Sequence, residues 1–175
     1  ESRLVFGDLP GIALEADEAI KADLLKTYAL SYLEEEVRRE ALVKDWGQFL
    51  RFLKFAAGGS GGIVNFSSIS RESGVGASTV KQYYQLLEDM FVGFTVGAFS
   101  GSSRKSALSS PRFFIFDNGV RNAAAGLPLT SDTVNADPGL LFEHWVGCQF
   151  WRMLSYDGAG RLSYYRTSDG SEVDF

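Results

Sequence analysis

Apolar residues between Leu14 and Leu42 recur at helical spacing. Ile20, Leu24 and Tyr28 lie four residues apart, with a second apolar set beside them and charged residues opposite. Because residues i and i+4 share one face of an α-helix, this pattern predicts a long amphipathic helix. The charged run at 34–39 is open to two interpretations, a solvated face with i,i+4 ion pairs or a surface for a partner.

A second helix is predicted after Asp45, whose side chain is suited to cap it. Apolar residues from Trp46 to Ala57 fall on one stripe, and the glycine-rich run 58–62 then ends the helix. No Gly-Lys-Ser/Thr follows these glycines, so a phosphate-binding loop is not indicated. We expect a flexible connection here, and no ATP hydrolysis by this chain alone.

The residues between Asn65 and Phe91 have the pattern of a helix-turn-helix. Ser67 is a candidate cap for a short helix, 74–76 is a glycine-bounded turn, and Ser78 is a candidate cap for a longer helix. Four apolar residues are spaced to converge between the two helices: Ile69, Val75, Val80 and Leu87. The sequence therefore predicts two short helices that cross at a steep angle.

Two strands are predicted after this pair of helices, at 94–99 and 111–116, around a polar, basic loop. A helix-turn-helix followed by a hairpin is the layout of a winged helix. On the second helix the outward residues Thr79, Lys81, Gln82 and Gln85 are able to bond base edges or phosphates. Arg104 and Lys105 fall at the tip of the hairpin, where they either contact phosphates or only keep a loop soluble.

The rest of the chain predicts a smaller α/β part. A short helix at 120–125 and a polar loop at 128–135 precede a helix opened by Asp137 and Pro138, and two strands follow at 162–167 and 172–175. The fold class is thus α+β and mainly helical, a winged helix-turn-helix between a helical segment and an incomplete restriction-endonuclease-like part.

Two sets of residues in this last part suggest chemistry. His144 and Cys148 lie one helical turn apart, but a zinc site needs three or four such ligands, and we expect none here. Glu143 on a helix and Asp174 at the end of a hairpin match the start of a PD-(D/E)xK nuclease fold, in which carboxylates bind a divalent metal. The alternatives are a favourable charge near a helix N-terminus for Glu143 and an exposed strand position for Asp174.

Composition narrows the class of protein. The net charge is −5, and only the segment 93–121 is basic, so any contact with duplex DNA has to be local. The apolar stretches are too short to span a bilayer, which predicts no membrane partner, and a single cysteine fits a reducing, cytoplasmic location. Both ends of the chain read as interrupted elements, which predicts a fragment.

Several motifs together resemble a known family, the domain of unknown function that follows the ATPase module in a group of bacterial and archaeal AAA+ ATPases. The matching segments lie at 7–10, 28–36, 65–88, 112–119, 139–146 and 165–175, and read GDLP, YALSYLEEE, the helix-turn-helix, RFFIFDNG, GLLFEHWV and YR…EVDF. The resemblance implies an ATPase domain upstream that holds ATP and Mg, a winged helix in the middle and a nuclease-like tail.

The expected organisation has three parts. Residues 1–57 form a helical segment that links to the upstream ATPase domain, 58–126 the winged helix-turn-helix, and 127–175 a truncated nuclease-like segment. We expect a non-catalytic module without a cofactor of its own that packs on its ATPase domain or on a protein partner. The alternatives are a DNA-binding winged helix, or part of a nuclease in which Glu143 and Asp174 bind Mg or Mn when the tail is complete.

Overall fold

The N-terminal third of the chain is helical. In a computed structural model, which describes residues 1–39, 43–99, 110–158, 160–167 and 171–175, it contains α1 (Ser2–Phe6), α2 (Pro10–Ala13), α3 (Glu18–Thr27), a π-helix (Tyr28–Tyr32) and α4 (Leu33–Arg39). The side chain of Asp17 accepts hydrogen bonds from the amides of Ala19 and Ile20 and so starts α3. The predicted helix therefore begins four residues later than its apolar pattern suggested.

The two apolar sets of this helical region have different environments. Leu25, Ala29, Leu33 and Val37 are buried in the main core. Ile20 and Leu24 are each 46% exposed, although they belong to the same periodic pattern. The pattern predicted the helix correctly, and the structure shows which of its two faces packs inside the chain.

The glycine-rich segment after α5 (Trp46–Gly58) is fixed to the neighbouring sheet. Asp45 caps α5 as predicted, through the amide of Gln48. Beyond the helix, Ser60 is fully buried and its hydroxyl accepts a bond from the amide of Ile115. The amide of Gly61 donates to the carbonyl of Phe113 at 2.7 Å. The expectation of a flexible connection at 58–62 is therefore wrong, because this segment makes buried hydrogen bonds.

Two helices joined by a tight turn occupy the middle of the chain, α6 (Phe66–Ser73) and α7 (Ala77–Asp89). Asn65, not Ser67, caps α6, and α7 begins after Gly76, ahead of Ser78. Gly74 lies between them with φ 69°, a left-handed conformation that favours glycine. The predicted convergence is confirmed: Val75, Val80 and Leu87 are buried in the main core, and Ile69 packs against it.

A four-stranded sheet joins the middle of the chain to its C-terminal part. It consists of β1 (Gly93–Ala98), β2 (Arg112–Ile115), β3 (Ser163–Arg166) and β4 (Glu172–Val173), in the order β2-β1-β3-β4. β1 and β2 are antiparallel, with Phe94 opposite Phe114, whereas β3 is parallel to β1 and β4 antiparallel to β3. Ile63 forms an isolated antiparallel bridge with Arg112 on the other side of β2.

The sheet has apolar side chains on both faces. Phe113 and Ile115 point into the main core with the helices, and Phe114 lies between them on the opposite face. There it stacks on Phe94 in a second, smaller core that also contains Cys148 and Tyr164. Helices of the main core therefore cover the first face, and the long C-terminal helix Pro138–Asp157 covers the second.

Three helices complete the described part of the chain: α8 (Asn118–Ala125), α9 (Ser131–Ala136) and α10 (Pro138–Asp157). Asp137 and Pro138 begin α10 as predicted. The expected polar loop at 128–135 contains α9 instead, held in place by the bond from the Thr133 hydroxyl to the carbonyl of Pro128. Among the described residues, no helix combines the length and the hydropathy that crossing a membrane requires.

The main core is continuous from Val5 to Leu129. It contains residues from both the N-terminal helical segment and the helix-turn-helix segment, so the two pack as one body. The protein is a mixed α+β structure in which helices predominate around a small curled sheet.

Candidate functional site

A buried arginine collects the carboxylates of the C-terminal part. Arg112 on β2 has a side chain that is 6% exposed. Its guanidinium donates to Glu143 on α10, to Glu172 on β4 and to Asp174, the last at 3.1 Å. It also lies over the ring of Tyr164, 5.2 Å from the ring centre. One cation thus holds together β2, α10 and the end of the chain.

The electrostatics of this cluster keep the arginine charged. Burial lowers the pKa of Arg112, but Glu143, Glu172 and Asp174 together raise it above its ordinary value. Burial also raises the pKa of Glu143, against the opposing effect of Arg112. Arg166 lies 4.0 Å from Glu172 on the other side, so two guanidinium groups face the three carboxylates of this cluster.

The predicted metal residues Glu143 and Asp174 are brought together by the fold, but around an arginine. Their oxygens accept hydrogen bonds from the guanidinium of Arg112. Within the ranges that the structure describes, no group of three or more His, Cys, Asp or Glu side chains could hold a metal ion. Binding of Mg or Mn by Glu143 and Asp174 in a complete tail stays a prediction.

A second polar cluster joins the first loop of the chain to α10. The carboxylate of Asp8 accepts bonds from the Trp145 indole at 2.8 Å and from Gln149 at 2.9 Å, with Arg152 at 3.4 Å. Asp117, which caps α8, accepts a bond from the backbone amide of Asp8 at 2.7 Å. Burial raises the pKa of Asp117, while bonds from backbone amides and the charge of Arg152 oppose the rise.

This second cluster was not found as a site from the sequence. The segments 7–10, 112–119 and 139–146 appeared as separate motifs, and the structure shows that they contact one another through these side chains. The sequence offered only Asp8 in a turn and Trp145 on a helix as separate features. Nothing local in the sequence shows that these two residues, 137 positions apart, form a hydrogen bond.

Ser60, His144 and Asn118 form a chain of hydrogen bonds that resembles a serine-hydrolase triad in its order. The Ser60 hydroxyl lies 2.9 Å from His144 Nε2, and His144 Nδ1 lies 3.0 Å from Asn118 Oδ1. All three residues are buried, so a substrate has no access to the hydroxyl. Burial lowers the pKa of His144 to about 3, which keeps its ring neutral. We assign the network to structure, since it satisfies buried polar groups.

Cys148 belongs to the same buried region. Its sulfur lies 3.8 Å from His144 Nδ1, as expected for residues one helical turn apart. Burial raises its pKa to about 12, so the thiol is protonated at neutral pH. The pair supplies neither a reactive thiolate nor a set of metal ligands.

Four of the residues predicted to contact nucleic acid lie on α7. On α7, Lys81, Gln82 and Gln85 are exposed and Thr79 is half-buried. Gln85 donates to Asp89 at 3.0 Å, and the Lys81 ammonium lies over the ring of Phe66. The outward face of α7 therefore carries the polar residues that the sequence indicated.

The basic character of the segment 93–121 is reduced by the fold. Arg104 and Lys105 lie outside the described residues. Arg112 and Arg121 are both buried, the former in the carboxylate cluster and the latter bonded to Asn122 and to the carbonyl of Gly58. Two of the basic residues that gave the segment 93–121 its positive charge are thus withheld from solvent.

An apolar surface runs along the N-terminal helices. We call it the α3 stripe and define it as Ile20, Leu24, Tyr28 and Tyr32, spaced four residues apart. Ile20, Leu24 and Tyr32 are between 46% and 48% exposed, and Tyr28 is half-buried. At its C-terminal end the stripe opens into a cavity of about 350 Å³ between the π-helix and the end of α7.

The fold and the polar clusters define the class of protein. The described part of the chain is an α+β domain with buried polar clusters. It has exposed apolar side chains on its N-terminal helices and also on α10, where Phe142 and Met153 are 57% and 59% exposed. The chain belongs to the family described as a domain of unknown function, DUF8612, whose model matches residues 1–131.

A similar protein is much longer than this chain. The chain is similar to an uncharacterized protein of Haemophilus influenzae, with 29% identity over 126 residues that make up 69% of this chain and 31% of that protein. The aligned region thus spans less than a third of the length of the relative. No solved structure matches.

Proposed function

We propose that this chain is a non-catalytic interaction module of a longer protein and that the α3 stripe is the surface by which it packs on another domain. The observation that carries the proposal is the exposure of Ile20 and Leu24, both 46% exposed on a regular helix. Exposed apolar side chains that form a contiguous patch often mark an interaction surface, whereas single exposed apolar side chains do not.

The energetics favour burial of this surface. Fully burying an Ile or Leu side chain contributes about 1.5–3 kcal/mol, so covering the exposed half of each residue contributes roughly 1 kcal/mol. Tyr28 and Tyr32 extend the same face with rings that combine apolar area and a hydroxyl. Surfaces of this composition are common at protein interfaces.

The partner we propose is an ATPase domain of the same polypeptide. Two observations support it: the resemblance of the motifs to the domain that follows an AAA+ ATPase module, and the size of the Haemophilus influenzae relative, of which this region is 31%. The helix–bridge–helix–helix–strand–strand order of residues 46–115 supports a winged-helix class for the middle of the chain.

Hydrogen exchange tests this proposal. Amides of residues 18–32 should exchange more slowly in the longer natural polypeptide than in this chain alone, because docking suppresses local opening. Leu24→Asp in the longer polypeptide should return the exchange to the rate of the isolated chain. Phe142→Asp, a matched change of an exposed aromatic residue on α10, should not. Equal exchange in both contexts would rule out docking through this surface.

DNA binding through α7 is the second candidate function. It is favoured by one observation, the common exposure of Lys81, Gln82 and Gln85 on the outward face of α7. The burial of Arg112 and Arg121 counts against it, since it leaves little positive charge in the described part of this region.

A salt-dependent gel shift decides the matter. If α7 contacts phosphates, duplex binding should weaken steeply between 50 and 200 mM salt, on the order of tenfold or more for a few contacts. Lys81→Ala should reduce affinity and flatten the salt dependence, whereas Lys54→Ala on α5 should do neither. Duplex DNA that stays unshifted by micromolar protein at low salt would dismiss this candidate.

A further inference from the structure

Three independent features of the described chain meet at one cleft. The π-helix at Tyr28–Tyr32 forms one wall. Phe91, which follows α7, forms the other with φ 57°, a left-handed conformation that aromatic residues rarely adopt. The cavity of about 350 Å³ lies between them. π-helical turns occur frequently at functional positions.

The cleft is lined by aromatic rings. Tyr28 and Tyr32 stack with ring centres 5.0 Å apart and planes inclined by 17°, and Tyr28 meets the edge of Phe116. Phe91 is 77% exposed, so its ring is held at the mouth of the cleft and not in the core. The left-handed conformation of Phe91 ends α7, because the amides of Phe91 and Val92 then donate to the carbonyls of Glu88 and Leu87 at 3.0 and 2.8 Å. The same turn leaves the aromatic ring where a ligand could contact it.

Asp89 gives the described lining of the cleft a negative charge. Glu36 also lines the cleft but has an interaction of its own, and the described lining includes no lysine or arginine. Asp89 accepts a hydrogen bond from Gln85 through Oδ1, which leaves its other oxygen able to accept a second donor. Aromatic faces and carboxylates around one cavity are complementary to a cation, because the rings attract positive charge and the carboxylates neutralise it.

We propose that this cleft binds an arginine side chain of a partner protein segment. The assignment rests on the proposed interaction function and names the chemistry that a partner would present. A guanidinium is planar and weakly hydrated, so it can stack on Tyr32 or Phe91 while donating a hydrogen bond to the second carboxylate oxygen of Asp89. A lysine ammonium lacks the planar face, and a neutral side chain lacks the charge.

An NMR titration tests the assignment with defined peptides. The probe is the acetylated, amidated tripeptide Gly-Arg-Gly added to the ¹⁵N-labelled chain. The same tripeptide with citrulline or lysine in place of arginine supplies two comparisons. Saturable shifts should centre on the amides of Tyr32, Asp89 and Phe91. Binding should weaken by about tenfold with citrulline, which has nearly the same shape but no charge, and by a smaller factor with lysine.

Variants separate the cleft from general attraction to an acidic protein. Asp89→Asn and Tyr32→Ala should each weaken binding by about fivefold or more, while Glu72→Gln, a matched loss of an exposed carboxylate on α6, should leave it unchanged. Amide spectra of each variant show whether the fold is retained. Equal binding of the citrulline peptide, shifts centred elsewhere, or an unaffected Asp89→Asn variant would overturn the proposal.

The outcome is distinguishable from failure of the proposed docking surface. Leu24→Asp should abolish the protection of residues 18–32 in the longer polypeptide yet leave binding of the arginine peptide intact. Peptide binding without domain docking would refute the proposed docking through the α3 stripe and support arginine binding in the cleft. Domain docking without peptide binding would support the docking surface and refute arginine binding in the cleft.

Discussion

The contact between Gly7 and Asp117 provides the sharpest test of how the first loop is held. Gly7 adopts φ 75° and ψ −164°, a region almost restricted to glycine. A Cβ at this position would overlap the Asp117 carboxylate, which itself accepts hydrogen bonds from the amides of Asp8 and Val120 at 2.7 and 3.1 Å. The two positions should therefore be strongly coupled.

The expected magnitudes follow from these contacts. Asp117→Ala removes a helix cap, costing about 1 kcal/mol, and leaves the amide of Asp8 without its acceptor, costing about 1–2 kcal/mol more. Gly7→Ala costs roughly 2 kcal/mol for its backbone conformation, and it also displaces the same carboxylate. Both single variants therefore lose the contacts of the Asp117 carboxylate, but the double variant loses them only once. Its free energy of unfolding should be about 2–3 kcal/mol higher than the sum of the two single effects predicts.

Urea denaturation followed by tryptophan fluorescence at pH 7 measures this coupling from four proteins. Gly11→Ala on α2 serves as the control, because a Cβ there meets no neighbour within 4 Å. It should change the free energy of unfolding by less than about 0.5 kcal/mol. Additive effects of the two substitutions, or a cost for Gly7→Ala no greater than for the control, would refute the reasoning.

Three further predictions concern buried groups. His144, whose pKa burial lowers to about 3, is neutral in the folded state, so its contribution to stability is present above pH 6.5 and is lost as the pH falls. The difference in unfolding free energy between wild type and His144→Gln should shrink by about 2 kcal/mol from pH 7 to pH 5, and a pH-independent difference would contradict this. Arg112→Met should lower the free energy of unfolding by about 3 kcal/mol at pH 7, because it leaves three carboxylates without their shared cation. The loss should be smaller at pH 4, where protonation relieves repulsion among the carboxylates. Thermal denaturation at both pH values measures the difference. The Cys148 thiol, whose pKa burial raises to about 12, should react with a disulfide reagent only as the chain unfolds in urea, and rapid labelling of the native protein would disprove its burial.

Local signals in the sequence predicted most of the elements. Asp45 and Asp137 cap the helices expected of them, and the four apolar residues of the helix-turn-helix share one core. Capping and periodicity depend on neighbours within a few residues, which is why such signals are readable without coordinates. The predicted cap Ser67 was wrong, because the side chain of Asn65, two residues earlier, accepts the amide of Ser68 and starts α6 there.

The candidate sites depended on contacts between distant residues. Glu143 and Asp174 were predicted as metal ligands of a complete tail, and the structure places both against Arg112, which the sequence showed only as one of the basic residues in 93–121. The sequence contains no local feature that distinguishes an arginine paired inside the fold from one on its surface. The same holds for Ser60, which a glycine-rich context made look like part of a linker.

The amino-acid order by itself indicated where most helices and strands form, because backbone hydrogen bonding and side-chain periodicity act over short distances; α9, in a predicted polar loop, is an exception. Only the tertiary structure decided which of two adjacent helix faces is covered, leaving Ile20 and Leu24 in solvent while Leu25 and Ala29 are buried. The physical reason is that both faces gain free energy by leaving water, and the choice between them depends on which surface another part of the molecule can reach.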